Sequence, residues 1–152
     1  MKILIVEDDL YKSKAIENFI IEEFGFNEIT CKESLSSGIF EVLDNPDYSL
    51  ILLDMSMPSF DVSEKDPSGG VPESYAGEDF LAQLSLLEIK IPVIVVTQFD
   101  NFGGGDSSLS LTSLNQKLLS KHPDIYQGSV YFKSTSNEWK LNLKYRINKV
   151  ME

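Results

Sequence analysis

The sequence predicts an α/β protein with an open parallel sheet and helices on both of its faces. Two observations carry that expectation, and their alternation is a third. Short runs of consecutive apolar residues, rich in β-branched side chains, recur along the chain, as strands buried on both faces require. Between them lie segments whose apolar residues recur about every 3.6 positions, as helices with one buried face require. Strand and helix alternate five times, the pattern of parallel strands joined by crossover helices.

Ile3 to Val6 is the first apolar run, ended by Glu7-Asp8-Asp9. Tyr11 to Phe24 has helical spacing through Ala15, Ile16, Phe19, Ile20 and Phe24, with Asp9 as a candidate cap and Gly25 as the stop. Asn27 to Cys31 is a short second strand with Ile29 and Cys31 expected inward. Ser34 to Leu43 is a second helix with Leu35, Ile39, Val42 and Leu43 on one face, broken by Asn45-Pro46-Asp47. Tyr48 to Leu53 is the third strand. A polar, Pro/Gly/Ser-rich loop spans 59–76. Gly77 to Leu87 is a third helix with Phe80, Leu81, Leu84 and Leu87 inward. Ile91 to Val96 is the fourth strand, where Pro92 is tolerable at the start, and Thr97 closes it. A second soft stretch, 98–110, contains Gly103-Gly104-Gly105. Leu111 to Leu119 is a short helix, Ser129 to Phe132 the fifth strand, and Asn137 to Met151 the last helix.

Composition narrows the function. The 152 residues suit one domain, 1–152, with the two soft stretches as loop insertions, not linkers. A net charge of −11 argues against nucleic acid and against anionic membranes as partners of the domain body. Cys31 is the single cysteine, so no disulfide forms within the chain, which fits a reducing cytoplasm. The first apolar run is too short for a signal peptide or a membrane helix.

In an open parallel sheet, ligands bind beyond the carboxyl ends of the strands. Those ends carry Glu7-Asp8, Asp54, Thr97 and Lys133. Each alone has a plain reading: a helix cap, a turn residue, a β-branched strand end, a solvated lysine. Jointly, the plain readings need independent coincidences at one sheet edge. Clustered carboxylates need a counter-ion, and Mg²⁺ is the natural one, shared with waters and a phosphate oxygen. A hydroxyl and an ammonium opposite it suit phosphoryl oxygens. A central carboxylate can serve as nucleophile and form an aspartyl phosphate.

The chain resembles the receiver domain of bacterial two-component response regulators. Ile3-Leu4-Ile5-Val6-Glu7-Asp8-Asp9, Leu52-Leu53-Asp54-Met55-Ser56-Met57-Pro58, Pro92-Val93-Ile94-Val95-Val96-Thr97 and Tyr131-Phe132-Lys133 carry the resemblance, in family order and across nearly the whole chain. It implies a flavodoxin-like five-stranded parallel sheet of order 2-1-3-4-5. It implies Asp54 as phosphoacceptor and Mg²⁺ held by Asp8, Asp54 and the backbone carbonyl of Ser56, with Glu7 supporting through water. Thr97 would hydrogen-bond the phosphoryl group and Lys133 would pair with it. A histidine kinase or phosphotransfer protein would be the donor. With no output domain expected after the fifth helix, an unidentified protein effector would receive the signal.

The sequence departs from the family pattern at the switch. Lys133 is followed by Ser134 and not proline, Val130 stands where the family has an aromatic, and the long Gln98 follows Thr97. Both insertions leave strands that carry site residues, so each would overhang the site, as a lid or as a plain surface loop. Two other functions compete: a pseudo-receiver that binds partners without phosphorylation, and an aspartyl-nucleophile phosphohydrolase. The latter needs a second carboxylate two residues past the nucleophile, where this chain has Ser56. Gly103-Gly104-Gly105 lacks the GK[ST] ending of a phosphate loop, and His122-Pro123-Asp124 reads as a turn. Lys140, Lys144, Arg146 and Lys149 give the last helix a basic face, either solvated or for docking.

Overall fold

A computed structural model of the chain describes residues 1–56, 76–98, 101–102 and 109–152. The strands are β1 (Lys2–Val6), β2 (Glu28–Lys32), β3 (Leu50–Leu53), β4 (Val93–Thr97), β5 (Asn101–Phe102), β6 (Leu109–Ser110) and β7 (Tyr126–Tyr131). The helices are α1 (Leu10–Phe24), α2 (Leu35–Asp44), α3 (Ala76–Leu86), α4 (Leu111–Lys121) and α5 (Glu138–Met151). Five strands make one sheet in the order β2-β1-β3-β4-β7, parallel throughout. This is the expected 2-1-3-4-5 order, with β7 as the fifth strand. The two-residue strands β5 and β6 pair antiparallel by themselves within the second insertion.

Side chains alternate across a strand, and the sheet uses both of its faces. Leu4, Val6, Ile51, Leu53, Val93 and Val95 share one core with residues of α2, α3 and α4. Ile3, Ile5, Leu50, Leu52, Ile94 and Val96 share the other with α1 and α5. That is why the central strands read as unbroken apolar runs. The helix ends follow their sequence signals. Asp9 accepts from the Lys12 N–H at the start of α1, and Gly25 ends it in the left-handed conformation at φ 73°. Ser34 and Ser37 form a reciprocal capping box on α2. Pro123 to Ile125 form the expected turn before β7.

Four expectations are corrected. Cys31 is exposed, not inward, because β2 is the edge strand and its thiol lies beside Glu17 at the sheet's margin. Leu43 is 48% exposed, since α2 buries Gly38, Ile39 and Val42 and turns its last leucine outward. Leu87 is 46% exposed, because α3 stops at Leu86 and the chain turns at Glu88 with φ 59°. The fifth strand begins at Tyr126, not Ser129. Between Val93↔Tyr126 and Val95↔Ser129 the β4–β7 register shifts, placing an extra residue in β7. Gly128, at φ 114°, supplies the backbone conformation that this irregularity needs.

Of the first insertion, residues 59–75 lie outside the described residues, as do 99–100 and 103–108 of the second. The overhang expected of these loops therefore lies outside the described residues too. No helix among the described residues is long and apolar enough to cross a membrane.

Phe80 is fully buried, in one core with Val6, Ile39 and Val42. Its ring lies so close to Gly38 that a Cβ there would come within 2.8 Å. Phe80→Ala is expected to lower unfolding free energy by about 3–5 kcal/mol, read as a shift in urea midpoint at unchanged slope.

Candidate functional site

Strand alternation aims the acidic residues. Ile3 and Ile5 face α1 and α5, and Glu7, next in that parity, follows them. Leu50 and Leu52 face the same side, so Asp54 does too. Backbone bonds hold both residues as extensions of the sheet: Glu7 N–H donates to Lys32 O at 2.8 Å, and Asp54 N–H to Val6 O at 3.1 Å. Glu7 is 3% exposed and Asp54 6%, while Asp8 is exposed. Carboxylate oxygens of Glu7, Asp8 and Asp54 all lie within 4.8 Å of one another. With Asp9, Ser56 and Gln98 they line an open cavity of about 230 Å³. Asp9 and Gln98 close one side, with the Gln98 amide donating to the Asp9 carboxylate at 2.9 Å.

A residue that the sequence reading passed over sits at the centre. Lys12, on the first turns of α1, is 1% exposed. Its ammonium is ion-paired with Glu7 Oε1 and donates to Asp54 Oδ1 at 3.2 Å and to the Val96 carbonyl at 2.7 Å. The side chain thus runs beneath the cavity floor and joins the ends of β1, β3 and β4. A signal for it existed in the sequence. Lys12 stands at helical spacing from Ala15, Ile16 and Phe19, so the apolar stripe of α1 carries a lysine where a core residue would continue it.

The other candidates are placed as follows. Ser56 lines the cavity beside Asp54. Thr97 is fully buried at the end of β4, and its carbonyl accepts from Phe132 N–H at 2.7 Å. Lys133 is exposed and lines a neighbouring cavity with Asp9, Tyr11, Gln98, Tyr131, Phe132 and Ser134. Its side chain makes no hydrogen bond or ion pair among the described residues, while its carbonyl accepts from Ser136 N–H at 3.1 Å. Val130 is buried in the core, Tyr131 is 42% exposed, and the Phe132 ring packs 4.8 Å from Trp139.

No family model matches the chain. It is 33% identical over 150 residues to the Detocs response regulatory protein DtcB of Enterobacter cloacae (strain JD6301), covering 99% of this chain and 100% of that protein. The chain belongs to the response-regulator receiver family. Solved structures agree on the fold. The signal receiver domain of a putative Luxo repressor protein from Vibrio parahaemolyticus superposes with a TM-score of 0.64 at 18% identity, over 99% of this chain and 92% of that one. A LuxR-family DNA-binding response regulator from Staphylococcus aureus gives 0.66 at 20%, over 99% and 98%.

In this receiver the electrostatics follow from burial. Removing Glu7 from water pushes its carboxyl from the ordinary 4.5 up to about 8, against the pull of Lys12 and with a further push from Asp54. Burial likewise raises Asp54 above its ordinary 3.8, with Lys12 opposing. Glu7 Oε2 accepts from the Asp9 N–H. Glu7 Oε1 is buried, and among the described residues it has no hydrogen-bond donor beyond the ion pair with Lys12. Hard oxygen donors close together, one of them under-coordinated, fit a small divalent cation.

Gly77 is a second residue whose role the sequence did not reveal. Its N–H donates to Met55 O at 3.1 Å, which brings the start of α3 against the turn after Asp54. A Cβ at Gly77 would lie 2.7 Å from the Asp54 carbonyl oxygen and 2.9 Å from Met55 Cα. Both are backbone atoms, which cannot swing aside. Gly77→Ala is expected to cost about 1–3 kcal/mol in urea unfolding and to displace the Asp54 turn, visible as amide shifts at 54–56.

Glu7 also predicts a pH dependence. Its folded pKa of about 8 lies above the unfolded 4.5, so the folded chain binds more protons across that window. Stability of the metal-free protein is therefore highest below pH 4.5 as far as Glu7 is concerned, and falls as pH rises toward 8. Asp54, also raised, adds to the same slope. Urea midpoints measured in EDTA across that range should decline for wild type and decline less for Glu7→Gln.

Proposed function

We propose that this receiver takes a phosphoryl group on Asp54 in a Mg²⁺-dependent reaction and passes the signal to a protein partner. The observation that carries the reading is the placement of Asp54: a buried carboxylate at the carboxyl edge of the sheet, within 4.8 Å of two others and lining an open cavity. Glu7, Asp8, Asp54 and the backbone carbonyl of Ser56 would hold Mg²⁺, whose chemistry there is neutralisation of phosphoryl oxygens. Thr97 at the neighbouring strand end is the candidate hydroxyl for the phosphoryl group, and Gln98 bounds the cavity it would enter. A histidine kinase or phosphotransfer protein is the donor class that fits an aspartyl acceptor. The name of the Enterobacter cloacae relative, a response regulatory protein, supports a signalling role over an enzymatic one.

One observation favours a second reading, a receiver that binds its partner without phosphoryl switching. Val130, where the family has its switch aromatic, is fixed in the core, so the usual movement of an aromatic side chain is missing there.

Incubation with ³²P-acetyl phosphate and Mg²⁺ separates the two. Wild type should acquire an acid-stable, alkali-labile label. Asp54→Asn and EDTA-treated wild type should each lose at least nine-tenths of it, by analogy with removal of an essential nucleophile. Equal labelling of Asp54→Asn would remove Asp54 as the acceptor, and no labelling of wild type would leave the constitutive binding module.

A further inference from the structure

We propose that Lys12, not Lys133, supplies the ammonium that pairs with Asp54 and offsets its charge while it takes a phosphoryl group. The inference rests on the reading of Asp54 as phosphoacceptor and assigns a residue of α1 to the reacting group.

The geometry distinguishes the two lysines. Lys12 Nζ already lies 3.2 Å from Asp54 Oδ1. Its position is fixed by the Val96 carbonyl at 2.7 Å and by Glu7 on the other side. A buried ammonium with three oxygen partners is held without the rotamer entropy that a surface lysine loses on pairing. Lys133, by contrast, is exposed, stands in a neighbouring cavity and pairs with no group among the described residues. To reach Asp54 it would have to leave solvent and approach a carboxylate that is already paired. The Phe132 ring, whose centroid lies 6.0 Å from Lys12 Nζ, adds an aromatic wall beside the buried cation.

The position of the ammonium suits the transfer itself. An oxygen of Asp54 supplies the electron pair for the new P–O bond. With acetyl phosphate the P–O bond to acetate breaks and acetate departs with its pair; with a phosphohistidine donor the P–N bond breaks and the imidazole nitrogen keeps the pair. No proton or redox equivalent is consumed. Charge moves from the carboxylate onto the phosphoryl oxygens, and a fixed cation at the carboxylate stays beside it throughout. Lys12 does not line the cavity that Asp8, Ser56 and Gln98 share with Asp54. It therefore leaves the open side of Asp54 to the incoming phosphoryl group.

The test compares Lys12→Met, Lys12→Arg and Lys133→Ala with wild type, each incubated with Mg²⁺ and acetyl phosphate. Label uptake in Lys12→Met should fall at least tenfold below that in Lys133→Ala, and Lys12→Arg should recover part of the loss. Equal losses, or a larger loss in Lys133→Ala, overturn the proposal. Lys12→Met leaves two buried carboxylates without their cation, so a second readout is taken on the wild-type chain, with the charge-keeping Lys12→Arg and the surface variant Lys133→Ala used only to assign resonances. In ¹⁵N-lysine NMR, one slowly exchanging ammonium resonance, absent from Lys12→Arg, should shift on adding Mg²⁺ with beryllium fluoride. A shift confined to the resonance lost in Lys133→Ala overturns the assignment. Labelling that depends on Asp54 and Lys133 but not on Lys12 removes this inference alone. Labelling independent of Asp54 removes the phosphoacceptor reading and this inference with it.

Discussion

Two carboxylates buried side by side cannot both stay charged without a cation, and much of this site follows from that constraint. Glu7 and Asp54 reach the same spot because β1 and β3 are paired in register, Val6 against Leu53, and strand parity sends both side chains toward α1. Burial then drives both carboxyls upward. Lys12 answers that pressure from the first turns of the helix that leaves β1. Removing one partner of such a buried set leaves an uncompensated charge, whose cost commonly exceeds the worth of the pair itself. The site is therefore tied to the scaffold through electrostatics as well as through packing.

The scaffold in turn is arranged to tolerate polar chemistry at one edge only. The central strands are essentially inaccessible from Ile3 to Val6, from Leu50 to Leu53 and from Val93 to Thr97. Polar residues enter where the apolar runs stop, at Glu7, Asp54 and Thr97. Gly77 matters for the same reason. The start of α3 abuts the backbone of Asp54 and Met55, so the helix that follows the first insertion is seated against the turn that presents Asp54. A side chain there would push against the backbone of the turn that carries Asp54.

Much of this was legible in the sequence. Continuous apolar runs gave the strands, and the residues closing them gave Glu7, Asp8, Asp54 and Thr97, because a parallel sheet collects its strand ends at one edge. What was not legible has physical causes. Amphipathic spacing locates a buried stripe but not where it fades, so Leu43 and Leu87 at helix ends were placed inside although they face water. Alternation assigns Cys31 a face but cannot say that β2 is an edge strand with little covering that face. Gly128 interrupts the β7 pattern with a conformation that disguises the strand's first half. Lys12 was missed because a charged residue within a helical stripe is ordinarily taken for the solvated side. Only the sheet register, which brings Glu7 and Asp54 beneath that stripe, makes its burial favourable.

Charge counting shows why a lysine and a divalent cation are compatible here rather than alternatives. Glu7, Asp8 and Asp54 contribute three negative charges when ionised, and one ammonium with one divalent cation balances them. The two cations would also occupy different sides. Lys12 is enclosed beneath Asp54 and bound to the Val96 carbonyl, whereas Asp8 and Ser56 line the cavity above it. Burial keeps the carboxyls of Glu7 and Asp54 raised, and an ammonium alone leaves the ionised cluster net negative, its open side attractive to a hard cation. The same lysine that makes burial of Asp54 tolerable thus leaves the pocket net negative, as the proposed Mg²⁺ site would require.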